Sequence, residues 1–146
     1  MAEEITRTRK KWGGEAIDAG FTIIPNHLLG INEFLAPEKR LSPTEIVVLL
    51  QLLTAWWSAE RMPFPSKNSI AKRTALSPRQ VQRSLTGLEE KGFISRIARF
   101  TPDRGRLSNV YDLEGTVMRV SAVATEYPAA YRESRSGNQK KENPGG

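Results

Sequence analysis

Residues 77–92, SPRQVQRSLTGLEEKG, constrain the chain more than any other stretch. Ser77 suits an N-cap, Pro78 the first helical position and Gly92 the position just past the end. Between them Val81, Leu85 and Leu88 recur at helical spacing and make a single apolar stripe. With that stripe turned inward, Arg79, Arg83 and Thr86 fall on the opposite side, with Gln82 beside them. Such a helix needs a core to cover its back and leaves a polar, cationic front in solvent.

A second stretch supplies that core. Ser42-Pro43-Thr44-Glu45 combines a Ser cap, Pro at the first helical position and Glu three residues after the cap, the pattern of a capping box. Leu41 and Ile46 stand where a hydrophobic staple closes. The helix that follows, EIVVLLQLLTAWW, is apolar on almost every face, which predicts burial on all sides or a second subunit covering one of them. Trp56 and Trp57 at its end are expected in the core or in a dimer contact, since no basic residues interleave with them.

Between the two helices, Arg61–Pro65 (RMPFP) permits only an extended link or a short edge strand. Ser66 then caps a short helix over 67–73, in which Ile70 and Ala71 face inward, and Thr74-Ala75-Leu76 is a three-residue turn leading to Ser77. Helix, tight turn and second capped helix is helix-turn-helix spacing. After Gly92 the pattern changes to strand-like sequence, FISRIARF over 93–100 and NVYDL over 109–113. Thr101–Arg106 joins them, with Pro102 and Gly105 at favoured positions of a type I turn. The expected fold class is therefore mainly α with a small β-hairpin (α+β), a winged helix-turn-helix.

Charge follows this order. The 146 residues carry a net charge of +6 and a sequence pI near 9.9. Residues 66–106 hold ten Lys or Arg against three acids, a net of +7, so the rest of the chain sums to −1. Basicity concentrated on the segment with the Arg/Gln helix points to a polyanionic partner. A capped helix with a front of Arg, Gln and Thr carries the side chains that read base edges in a major groove. The expected partner is thus double-stranded DNA.

The remaining stretches are expected to serve as accessories. Residues 1–20 are read as a flexible arm whose Arg7, Arg9, Lys10 and Lys11 either follow phosphates or simply form a solvated charge run. Residues 21–115 are the domain, 116–130 a weak C-terminal helix or extension, and 131–146 a polar tail read as disordered. There is no cysteine, which removes disulfides and thiolate metal sites and suits a cytoplasmic protein. No apolar run is long enough to span a bilayer, and Met1–Gly20 has no signal-peptide character. His27 is the only histidine and is expected to be structural. No nucleotide-binding or zinc-protease motif is present, and Glu89 and Glu90 face different ways on one helix, so neither enzymatic activity, a metal, a cofactor nor a small-molecule ligand is expected.

In order, FTIIPNHLL, LSPTEIVVLLQLL, PFPSKNSIAKRTALSPRQVQRSLTGLEEKGFI and NVYDL resemble the bacterial and phage helix-turn-helix domain of plasmid replication initiators and small transcription regulators. The resemblance spans Phe21 to about Leu113. It implies Arg79, Gln80, Gln82 and Arg83 as base readers, to which the outward face adds Thr86, and Arg104 and Arg106 as wing contacts. Ser66 and Ser77 are expected to aim helix N-termini at phosphates, and Lys67, Lys72 and Arg73 to add sequence-independent affinity, unless they are only a solvated face. Gln80 has two readings, because the third residue after Ser77 also suits a capping-box partner. Such turns usually carry Gly where this chain has Ala75. A left-handed backbone there costs Ala about 1 kcal/mol relative to Gly, which favours a different turn geometry. One reading helix covers few base pairs, so a homodimer on a palindromic site is expected, with the Trp56–Trp57 helix and Val117–Ala124 as interfaces. The role implied is transcription regulation or origin binding. The alternative is a winged-helix protein-interaction module without specific DNA binding, which the apolar first helix would serve.

Overall fold

The core grows from one helix, α4 (Pro43–Thr54), in the computed structural model, which describes residues 2–131. Its capping box is complete: the Glu45 amide donates to Ser42 Oγ at 3.0 Å and the Ser42 amide to Glu45 Oε1 at 2.8 Å. Val48, Leu49 and Leu52 form its fully buried stripe, while Val47 lies 39% exposed on another side of the same apolar helix. The helix stops at Ala55, so Trp56 and Trp57 lie beyond it and not within its last turn. Trp56 packs against the core, whereas Trp57 is 79% exposed.

Against α4 lie α5 (Lys67–Thr74) and α6 (Pro78–Glu90), each capped by the serine before it. Ile70 and Ala71 of α5, and Val81, Leu85 and Leu88 of α6, are buried with α4 in one cluster. Gly87 lets α6 approach α4 closely, since a Cβ there would fall on the Glu45 carboxylate. That carboxylate also takes an ion pair from Lys91 at 2.7 Å, so the α4 cap and the end of α6 meet at one acid.

The turn between α5 and α6 corrects the expectation about its geometry. Ala75 has φ 62° and ψ 24°, in the left-handed region, so the chain makes the usual glycine-type turn with an alanine. The strain is offset by what the turn secures, the burial of Leu76 against the core and the entry of Ser77 into its cap. Ala75→Gly is therefore expected to raise stability by up to about 1 kcal/mol, the relief of strain slightly exceeding the entropy glycine adds to the unfolded chain. A lower midpoint in urea unfolding would contradict this.

After Gly92 (φ 82°), β1 (Ser95–Thr101) and β2 (Gly105–Asp112) pair antiparallel, with a register shift between Ile97 and Arg99. The second strand begins four residues earlier than the apolar run NVYDL indicates. Gly105 (φ 69°) pairs with Thr101 across a three-residue loop, and the positive φ supplies the local twist that lets pairing start at once. Tyr111 of β2 is fully buried and donates its amide to the Pro63 carbonyl, which ties the extended 61–65 link to the hairpin.

α7 (Glu114–Glu126) closes the fold as a regular helix where a weak helix or extension is expected over 116–130, and it starts two residues earlier. Gly115 sits in the first turn of α7. There a Cβ would collide with the Gly92 carbonyl, and Thr116 Oγ1 donates to the Phe93 carbonyl at 2.8 Å. Arg119 reaches back to the Lys91 carbonyl, caps the end of α6 and lies 5.0 Å over the Phe93 ring.

The N-terminal residues form α1 (Ala2–Trp12) and α2 (Gly14–Ala19), where the sequence reading was an arm without sustained periodicity. Glu3 and Glu4 in the first turn and Arg9, Lys10 and Lys11 in the last complement the α1 dipole, and Arg9 pairs with Asp18 of α2. Only Ile17 in these helices is buried, so they add little to the core. Short helical pieces, α3 (Asn26–Leu29) and a 3-10 turn at Ile31–Phe34, then pack beside α7. His27 is structural in position: its ring stacks on Phe34 and bonds to the Tyr127 carbonyl. Tyr131, the last described residue, sits edge-on to His27 and donates to Glu33. The rest of the tail, read from sequence as disordered, lies outside the described residues.

Candidate nucleic-acid interface

The capping serine and the buried stripe fix the rotation of α6, and that rotation decides what its front presents. Val81, Ser84, Leu85 and Leu88 are buried, whereas Arg79, Arg83 and Glu90 are exposed on the far side. Among the described residues no acid pairs with Arg79 or Arg83. Glu90 shares their face nearer the end of the helix.

Gln80 is drawn into the cap. Its Oε1 accepts from the Ser77 amide at 2.9 Å, and its own amide donates to Ser77 Oγ at 3.1 Å. Of the two readings open in the sequence, the capping box is the one the geometry holds. Ser66 works in the same way for α5, its hydroxyl accepting from the Ser69 amide at 3.0 Å.

The other polar residues of this face are joined side chain to side chain. Lys67 Nζ, at the start of α5, donates to Gln82 Oε1 at 2.9 Å. Gln82 Nε2 donates to Thr86 Oγ1 at 3.4 Å, and Arg96 Nη1 of β1 donates to the same hydroxyl oxygen at 3.3 Å. Glu89 holds Arg96 from behind through its guanidinium and its backbone amide. The Arg96 amide, then its guanidinium, keep the Glu89 carboxyl below the usual carboxylate range. One row thus runs from α5 across α6 to the hairpin.

Arg96 and Glu89 complete this row although the sequence did not single them out as site residues. The signal lay in the charge count, where Arg96 is one of the ten basic residues. Its pairing with an acid on the preceding helix requires the chain to fold back after Gly92. The wing is only partly drawn into the site. Arg106 bonds Asn109 and, with Ser66, Lys67 and Asn68, lines a cleft of about 350 Å³ between the start of α5 and β2. Arg104 sits at the exposed hairpin tip, and Lys72 and Arg73 lie exposed near the end of α5; no bond joins these three to the row. Arg99 turns the other way, over the Phe64 ring at 4.6 Å.

No group of His, Cys, Asp and Glu among the described residues is placed to hold a metal ion, and no described helix is long and apolar enough to cross a membrane.

Residues 39–94, from the lead into α4 to the start of the hairpin, match the family model of a helix-turn-helix domain. Among solved structures the chain is similar to a possible transcriptional regulator from Methanosarcina mazei Go1, at 17% identity over 80% of this chain and 86% of that one, with a TM-score of 0.45. It is also similar to a MarR-family transcriptional regulator from Rhodococcus sp. RHA1, at 20% identity over 98% and 91%, with a TM-score of 0.40. At such values neither likeness bears on what this chain does. No curated protein matches the sequence. The segment that matches is the α4–α6 part of the fold, and the β1–β2 hairpin that follows stands where the wing of a winged helix belongs.

Proposed function

We propose that the protein binds double-stranded DNA sequence-specifically, α6 entering the major groove and the hairpin lying alongside, and acts as a transcription regulator or a replication-origin binder. The observation that carries this is the front of α6. It exposes Arg79 and Arg83 without acidic partners among the described residues, flanked by Lys67 and Arg96 in a bonded row, on a helix whose back is wholly buried. Arg79 and Arg83 are the leading base contacts, and Thr86 and Gln82 read beside them. Gln80 serves the helix start. Ser66, Ser77, Lys67, Lys72, Arg73, Arg104 and Arg106 meet the backbone and supply the salt-dependent part of the affinity. Fluorescence polarisation with mixed genomic duplex fragments at low salt tests the reading. Binding that weakens steeply with added salt is expected, and no binding at low salt would overturn it.

One further feature favours an interface with protein. An apolar groove of about 500 Å³ runs between the end of α4 and α7, lined by Phe21, Ile23, Leu53, Trp56, Trp57 and Val117 among others. Ile23 is 70% exposed there, and neighbouring Met118 is 64% exposed on α7. A second copy of the chain is the proposed occupant, because two reading helices related by a two-fold axis match a palindromic site. Light scattering at micromolar protein is expected to give the dimer mass, and Val117→Asp the monomer mass. A monomeric wild-type chain, with and without DNA, would contradict the dimer. Dimerisation without any DNA binding would favour the protein-interaction module instead.

A further inference from the structure

The row Lys67–Gln82–Thr86–Arg96 fixes more than position; it fixes which way each polar group points. A lysine ammonium can only donate, so the oxygen of the Gln82 amide must face Lys67 and its nitrogen must face Thr86. Thr86 Oγ1 then accepts from both Gln82 Nε2 and Arg96 Nη1, which uses its acceptor capacity and leaves its hydroxyl hydrogen to donate outward. Arg96 keeps Nη hydrogens beyond its bonds to Thr86 and Glu89, and Arg79 and Arg83 are donors only. The Glu89 carboxylate is spent on Arg96, and Glu90 stands further along the helix.

We infer that Lys67 and Thr86 lock the Gln82 amide so that the reading face of α6 offers DNA hydrogen-bond donors, making guanine the base it selects. Guanine presents two adjacent acceptors, O6 and N7, in the major groove, whereas adenine pairs one acceptor with an amino donor. A free glutamine reads adenine by accepting from that amino group while donating to N7. Here one of the two lone pairs of that oxygen is taken by an ammonium 2.9 Å away, and an adenine amino group brought to the other meets the lysine's positive charge and hydrogens. Lys67 is thus a specificity-determining residue as well as a positive charge near the backbone. The inference rests on the DNA-binding reading above.

In vitro selection from a random duplex library, using the full chain as wild type, Lys67→Met and Gln82→Ala, tests it. The wild type is expected to enrich sites with guanine at the base pair whose enrichment Gln82→Ala weakens. Lys67→Met, which frees the amide oxygen, is expected to shift that position toward adenine by roughly tenfold, beyond any general loss of affinity. Lys67 is exposed, so its replacement leaves the core intact. A wild-type consensus with adenine at the Gln82-dependent position, or an unchanged preference in Lys67→Met, overturns the inference and leaves DNA binding standing. A wild type that enriches no sequence overturns both.

Discussion

Arg83→Ala is expected to weaken binding to a selected site by about 10–100-fold while random duplex of equal length loses only a few-fold. Arg83 projects from the N-terminal half of the exposed front of α6, a turn past Arg79, in the part of a reading helix that contacts base edges. A bidentate arginine–guanine contact discriminates by about 1–3 kcal/mol, and that energy is lost only on the cognate site. A phosphate contact behaves differently, costing affinity on every sequence and lowering the salt dependence by about one counterion. Side-by-side titrations against both duplexes at two salt concentrations separate the cases. Equal losses would demote Arg83 to the backbone.

The largest structural effect is expected from Gly115→Ala. Helix α7 enters the fold with its first turn against the backbone of Gly92 and Phe93, and a Cβ at Gly115 would overlap the Gly92 carbonyl. Neither side can yield cheaply. Gly92 is held at φ 82° where the chain leaves α6, and the Phe93 carbonyl is bonded to Thr116. Alanine favours a helix over glycine by up to about 1 kcal/mol, so propensity alone predicts stabilisation. The collision reverses that sign: a loss of about 1–3 kcal/mol is expected, lowering the melting temperature by roughly 5–10 °C. Thermal unfolding followed by circular dichroism decides it, and an unchanged or higher midpoint would show that α7 docks elsewhere. Gly87→Ala meets a softer obstacle, the side chain of Glu45, which can move at the expense of its cap and its bond to Lys91.

The parts of this architecture written in local rules were legible in the sequence. The capping box of α4, the serine caps of α5 and α6, the apolar stripe of α6 and the hairpin after Gly92 follow from residues within a few positions of one another, whereas the part Gln80 plays in the α6 cap was open until the fold placed it. What local rules could not supply is where distant backbones meet. Ala75 takes the left-handed turn that its own preference opposes, because Leu76 and the Ser77 cap gain from it. Gly87 and Gly115 acquire their meaning from Glu45 and Gly92, residues that only the packed fold brings near. The interface shows the same division. Arg79 and Arg83 face outward as the helical period requires, whereas the bonded row through Lys67, Thr86 and Arg96 joins two helices and a strand. For α1 and α2, end charges that suit a helix dipole are a weak signal beside the absence of an apolar period.

Whether α6 enters the major groove is tested most directly by methylation interference. Dimethyl sulfate modifies guanine N7 in the major groove and adenine N3 in the minor groove of the same duplex. Interference at guanine N7 in two clusters one helical turn apart is the result expected for a dimer reading through α6. Interference confined to adenine N3, or none at any purine of a duplex that the protein binds, would contradict it.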